Sequence, residues 1–176
     1  MRILFCITLL AASLALSAGE LLVDKEASWI KASATATGHQ FEAHPSKYDL
    51  SVTLENKKLT AVRFSCNVMD LTTDKKKRDK EMFHWLEASH FPSFSFTMTG
   101  WNDRDGAAVM VGDLKLHNKV QRLEIPVTLA ESEGRVTIDG TVTLDTRLFS
   151  LPIIKKMGFL KVKPEVLVAI HLVGTR

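Results

Sequence analysis

The chain has 176 residues, 45% of them hydrophobic and 24% charged, which is one domain's length with enough apolar material for a substantial core. That balance excludes both a disordered chain and a membrane bundle. The formal charge of +3 is too small to argue for a nucleic-acid partner.

Residues 1–19 stand apart. Arg2 gives a positive start, Ile3 to Leu16 is an apolar run, and Ser17, Ala18 and Gly19 are small enough for signal-peptidase cleavage. The segment reads as a removed secretory signal, with a single domain over 20–176. A membrane anchor is the alternative, but the run is shorter than the roughly 20 apolar residues a span needs. Cys6 leaves with the signal, so the mature chain keeps only Cys66 and can form no internal disulfide.

The first strand is Ser28 to Ala36, with Ile30, Ala32, Ala34 and Ala36 on one face; side chains this small leave room inside. Gly38 to Pro45 reads as a turn. Tyr48 to Leu54 and Leu59 to Met69 form a hairpin about Asn56-Lys57, and the second of these strands aligns Val62, Phe64, Cys66 and Val68. That parity makes Cys66 a buried, inert thiol rather than a reactive one.

A polar stretch ends in Lys75, Lys76, Lys77 and Arg78, either a solvated loop or a contact for acidic lipid headgroups. From Lys80 to Ala88, Met82, Phe83, Trp85 and Leu86 share an arc of roughly 160°, so a short helix has one wide apolar face. Asp79 is its expected cap and Pro92 its stop. The period then switches to two: Phe94, Phe96 and Met98 alternate with Ser93, Ser95, Thr97 and Thr99.

Ala107 to Leu116 is the fifth strand, with a bulge expected near Gly112-Asp113. Val120 to Ala130 follows, and Pro126 on its outer face argues for a rim or edge position. Arg135 to Leu144 alternates cleanly. Leu148 to Leu160 breaks the pattern and reads as a two-turn helix carrying Ile153, Ile154 and Met157. The last strand, Glu165 to Val173, is apolar on both faces and must be covered on both, with the preceding segment as its outer cover and His171 hydrogen-bonded beneath it.

Eight sequential strands joined mostly by tight turns imply an all-β fold with one or two short helices, an eight-stranded antiparallel barrel; a sandwich is the alternative. No Gly-x-Ser-x-Gly, His-Glu-x-x-His or Cys-x-x-Cys sequence is present. His39 with His44, or His84 with His90, are the only histidine pairs near enough in sequence to suggest a metal, and a surface role suits them better. No catalytic residue, metal or cofactor is expected.

Asp24 with Ser28, the Arg78 to Phe96 stretch ending Phe-Pro-Ser-Phe-Ser-Phe, the segment Val111 to His117 and the apolar C-terminal strand together resemble the YceI-like family of exported lipid-binding proteins. The resemblance spans about Val23 to Val173. This chain departs from the family pattern where His117 is followed by Asn118 instead of glycine and where Gly38-His39-Gln40-Phe41 replaces a glycine-rich first hairpin. The resemblance implies a lipocalin-like barrel enclosing an elongated apolar tunnel for one isoprenoid or fatty-acid-like molecule. It also implies a periplasmic or secreted location in a bacterial envelope and a link to stress responses and isoprenoid quinone metabolism.

The physical chemistry of the residues agrees with a carrier. Each buried methylene of a ligand contributes about 0.8 kcal/mol against an association cost on the order of 4 to 15 kcal/mol, so a long chain binds without polar contacts. The expected ligand-facing residues are Ile30, Phe64, Phe94, Phe96, Met98, Leu116, Ile125, Ile138 and Val168, with Met82, Phe83 and Trp85 closing one mouth. The expected partner is therefore an apolar long-chain molecule, with membrane contact through Lys75, Lys76, Lys77 and Arg78. Oligomeric state stays open, a homodimer included. A non-enzymatic envelope interaction protein with a filled core is the competing function.

Overall fold

The alternating pattern becomes one curled antiparallel sheet in the computed structural model, which describes residues 19–104, 107–156 and 160–176, without the side chains of 155, 156, 160 and 161. Its short ladder segments join end to end into eight runs. The first is β1 (Gly19–Glu20), β2 (Leu22–Val23) and β3 (Trp29–Ala36); the second is β4 (His39–Pro45) and β5 (Asp49–Glu55); the third is β6 (Lys58–Asn67) and β7 (Leu71–Thr72). After the helix α1 (Lys76–Trp85) come β8 (Ser93–Arg104), β9 (Ala107–Leu116), β10 (Lys119–Ser132) and β11 (Arg135–Asp145), and the last run is β12 (Lys155–Lys156) folded back on β13 (Leu160–Thr175).

The register shows that the ring closes. In the first run β1 pairs with β5 (Gly19 opposite Leu54) while β2 pairs with β13 (Val23 opposite Gly174), so one short segment joins the two sides of the sheet. Higher up, β3 lies between β13 and β4, and β4 reaches β7. The expected antiparallel barrel is the fold, with thirteen ladder segments among the described residues where eight unbroken strands were expected. Gly38 to Pro45 is not a turn: only Thr37 and Gly38 turn, and the rest is β4, which continues into β5 as one broken strand.

Tight turns hold the meander together. Asn56-Lys57, His117-Asn118 and Glu133-Gly134 all have positive φ at both positions, the geometry of a two-residue turn whose twist matches its strands. Asn118 thus adopts without glycine the conformation that glycine would favour.

Asp24 and Ser28 are explained where the first run breaks. Asp24 Oδ1 accepts from the amides of Glu26 and Ala27, while Ser28 Oγ accepts from Val173 N at 2.9 Å and donates to Val173 O at 3.2 Å. The hydroxyl stands in for the ladder bonds that the excursion removes.

Several local expectations change. The helix begins at Lys76 rather than Lys80, so Lys76, Lys77 and Arg78 are its first turn and not a loop. Its N-cap residue is Lys75, and the Asp79 carboxylate instead reaches back to Thr72 and Thr73. The irregularity expected at Gly112-Asp113 lies on the facing strand, where Met98 opposes Gly112 and Gly100 opposes Val111, leaving Thr99 as the extra residue. Pro126 sits at a local edge, as its outer-face position argued: β10 pairs with β9 throughout this stretch, but the β10–β11 ladder stops just before it, at the pair Val127 and Gly140. Pro supplies no ladder donor, and the strands part there.

Into that parting goes the segment after β11. A 3-10 turn over Thr146–Phe149 is followed by extended chain rather than a two-turn helix, and it buries Phe149 and Leu151; Met157 lies outside the described residues. This segment plugs the barrel end instead of covering the outer face of β13, where Leu167 stays 44% exposed. His171 is half-buried on that outer face and hydrogen-bonded, though not beneath this segment: its Nδ1 is 2.6 Å from Asp139 Oδ1 and its ring stacks on Trp29.

Candidate functional site

Inward-facing side chains fall into two zones along the barrel axis. A girdle of Val52, Leu54, Leu59, Val62, Met110, Ile125, Val127, Val136, Ile138 and Leu172 is buried. Phe96 joins it because Gly112, directly beneath, has no Cβ to collide with its ring. Toward the end crossed by α1 the same faces carry Ile30, Leu50, Phe64, Phe94, Met98, Leu116, Leu123, Val142, Leu144 and Ile170, all only half-buried although they pack against the core. Val168, opposite Val142, is half-buried too. Beside them Cys66, Val68, Leu86, Leu114, Phe149 and Leu151 are buried, so this end is a looser zone only in that part of its inward apolar surface still meets solvent beneath the lid.

The expected ligand-facing residues divide along this boundary. Phe96, Ile125 and Ile138 belong to the packed girdle. Ile30, Phe64, Phe94, Met98, Leu116 and Val168 line the looser zone, and Met82, Phe83 and Trp85 close over it from α1. The inward side chains therefore differ in burial along the barrel axis. Side chains from facing strands meet across the girdle, and small residues on the first run, Ala32 and Ala36 with Ala34, widen the other end.

The lid is tied down at both ends. Asp79 Oδ1 accepts from Thr73 N at 2.7 Å and Thr73 Oγ1 at 2.6 Å, and Oδ2 accepts from Thr72 Oγ1, fixing the start of α1 to β7. Desolvation opposes the Asp79 charge, but these hydrogen bonds outweigh it and hold the carboxyl below its usual range. At the other end Trp85 Nε1 donates to Pro152 O at 2.7 Å, and Leu86 is buried. Arg78 lies 5.0 Å over the Phe41 ring, another inward side chain of the wall.

His117 connects the pieces around this mouth. Its Nδ1 faces the Phe149 carbonyl at 3.0 Å, so that nitrogen carries the proton and donates; Nε2 is 3.5 Å from Glu87, and the ring packs on Phe91 at 4.1 Å. The β9–β10 turn, the chain after α1 and the plug are thereby held together. No local spacing in the sequence reveals this role, because the partner of His117 lies 32 residues away.

A second feature was not foreseen. The first and second runs break at the same level, at 24–28 and 46–48, so the wall has a window between them. A cleft of about 480 Å³ fills it, lined by Lys25, Ser28, Trp29, Ile30, Lys31, Glu42, His44, Tyr48, Asp74 and the 45–47 linker. Cys66 Sγ donates to the linker carbonyl of Lys47 at 3.3 Å; burial first, then the charges of Asp70 and Asp49, push this thiol up to about 11, so it stays protonated. A separate cleft of about 530 Å³, lined by Asn56, Lys57, Glu131 and Arg176, lies at the far end of the barrel. Among the described residues no group of three His, Cys, Asp or Glu side chains is placed to hold a metal.

The pattern of the YceI-like domain matches residues 22–174. The chain belongs to the YceI-like family. Among solved structures, this YceI-like chain is similar to BcnA of Burkholderia cenocepacia, with a TM-score of 0.77 and 21% identity over 87% of this chain and 99% of that one. It is also similar to a polyisoprenoid binding domain from Saccharophagus degradans implicated in plant cell wall breakdown, with a TM-score of 0.66 and 12% identity over 91% and 100% of the two chains. The YceI protein of Campylobacter jejuni superposes with a TM-score of 0.64 and 11% identity over 76% and 84%. No curated protein matches. At these identities the likenesses establish the fold.

Proposed function

We propose that this YceI-like protein is a carrier, exported to the periplasm or beyond, that holds one long-chain isoprenoid or fatty-acid-like molecule in the loose zone beneath α1. The observation that carries this reading is the half-burial of inward apolar residues, from Phe64 and Phe94 round to Val142 and Val168, in a part of the barrel that a helix and a plug both cover. An alkyl chain laid there removes that apolar surface from water, at roughly 25 cal/mol per Å², with no polar contact required. Family membership and a like-folded polyisoprenoid binding domain support the same reading. The chemistry is binding rather than catalysis. Lys75, Lys76 and Lys77 are exposed at the start of the lid, where they suit a transient contact with acidic lipid during loading.

Mass spectrometry of an organic extract of the protein purified from its native host tests the proposal. An apolar long-chain molecule in stoichiometric amount is expected, and Met98→Lys, at a half-buried position, is expected to abolish it while thermal unfolding remains cooperative. An extract with no such molecule, together with no binding of geranylgeraniol or palmitate by the purified protein, overturns the carrier reading.

A further inference from the structure

The window between the first two runs is framed more carefully than a gap in a wall needs to be. Lys25 Nζ reaches across it to donate to Tyr48 O at 3.2 Å, and Ser46 donates through both N and Oγ to Asp70 O at 2.8 Å. Ser28 is bonded to Val173, and Cys66 to Lys47 O. Every side of the frame is therefore tied to a neighbouring strand or turn, and the opening is part of the fold.

Its chemistry changes with depth. At the back stands Ile30, which faces into the barrel and packs against the core, with Ala32 above it on the same face. At the front stand Lys25, Lys31 and Lys47 with the rings of Trp29 and Tyr48. Lys31 is shared with Glu42 at 3.4 Å, and His44 lies 3.9 Å from Asp74. Lys25 is bound to a carbonyl and not a carboxylate, and Lys47 makes no ion pair among the described residues. Two ammonium groups thus lack an ion-pair partner among the described residues at the mouth of a cleft whose floor is Ile30, a side chain packed against the apolar core.

We propose that this window seats the head of the ligand and that the head is an oxyanion, a phosphate or a carboxylate, held by Lys25 and Lys47 while the tail passes Ile30 into the loose zone. The inference rests on the carrier reading and adds polarity and direction to it. A cleft of about 480 Å³ has room for such a head with its first few carbons. The tail takes its affinity from apolar burial, which is blind to the head, so the lysines supply the discrimination. An ammonium that lacks a carboxylate partner gains most from an anion, because no existing pair must be broken first.

The test compares matched ligands on the purified protein: geranylgeranyl monophosphate against geranylgeraniol, and palmitate against hexadecanol, by calorimetric titration. The parent is expected to bind at least one of the two acids more tightly than its alcohol. The double variant Lys25→Gln/Lys47→Gln is expected to lose that preference, about tenfold per lysine, with affinity for the alcohols unchanged. Lys25→Arg/Lys47→Arg is expected to keep it, and raised salt to weaken the acids alone. Thermal unfolding of each variant establishes that the fold is retained. Equal loss for acid and alcohol, or no preference in the parent, sinks the window as a head site and leaves the carrier reading standing. If the parent binds none of the four ligands, this inference falls, and the carrier reading falls with it where the native extract also holds no long-chain molecule.

Discussion

At Gly112 the inner face of β9 passes directly beneath the Phe96 ring, and this contact sets where the packed girdle begins. A Cβ there would overlap the ring and come within 2.7 Å of Thr97 O. A ring can turn aside, but a backbone carbonyl in a paired strand cannot. Gly112→Ala is accordingly expected to cost about 2 kcal/mol, within the usual range for overpacking, read as a lower urea midpoint at unchanged slope. Gly100→Ala provides the contrast, because its nearest neighbour would be Val111 Cβ at 4.0 Å; that change is expected to fall within about 0.5 kcal/mol of the parent. A Gly112→Ala protein as stable as Gly100→Ala would mean the girdle is looser than its burial indicates. The sequence showed Gly112 only as a break in alternation. What the glycine accommodates is a ring from the next strand, and its identity depends on register, which no single strand's pattern contains.

Among the elements, α1 shows how far periodicity reaches and where it stops. Met82, Phe83, Trp85 and Leu86 revealed a helix with a face to bury, because burial imposes the 3.6-residue repeat. The start of the helix was misplaced because Lys76 to Arg78 are solvated and carry no such repeat. β4 was hidden by Gly38 and Pro45 at its two ends, and the plug by a run of apolar residues that suits helix and extended chain equally. Asp79 was read as a cap, yet it works as a strut from α1 to β7. Its folded pKa lies below the ordinary value near 4, so the stabilisation it brings is complete above that value and is lost as pH falls through the lowered folded value. Asp79→Asn is expected to lower stability by about 1 kcal/mol at neutral pH, since the strut is only part-buried. It is also expected to flatten the decline of melting temperature as pH falls below the ordinary carboxylate value, near 4. An unchanged acid profile would show that Asp79 does not anchor the lid.

Closure of the barrel depends on a segment that scarcely registers as a strand. Between β5 and β13 lie only β1 and β2, two residues each, with Leu21 between them buried and its amide donating to Val52 O at 2.8 Å. Pieces that short show no alternation to read, although Asp24 and Ser28 did mark the site. Gly174 lets the segment approach: a Cβ there would stand 2.6 Å from Leu21 Cγ and 2.7 Å from Leu22 O, and so would push β2 off β13. With β1 and β2 displaced, β5 and the last residues of β13 lose their partner on that side, while the rest of β13 stays paired with β3, and open edges pair with other copies. Gly174→Ala is therefore expected to lose about 2 to 3 kcal/mol of stability, to speed amide exchange on β5 and β13 ahead of the other strands, and to self-associate in size-exclusion chromatography. Gly140→Ala, whose Cβ would meet Val127 Cγ1 at 3.1 Å and Pro126 O at 3.3 Å, calls for shifts of only a few tenths of an ångström and is expected to cost less while staying unassociated. If Gly174→Ala exchanges and elutes like Gly140→Ala, the ring is held by the long strands alone and the N-terminal segment is a passenger.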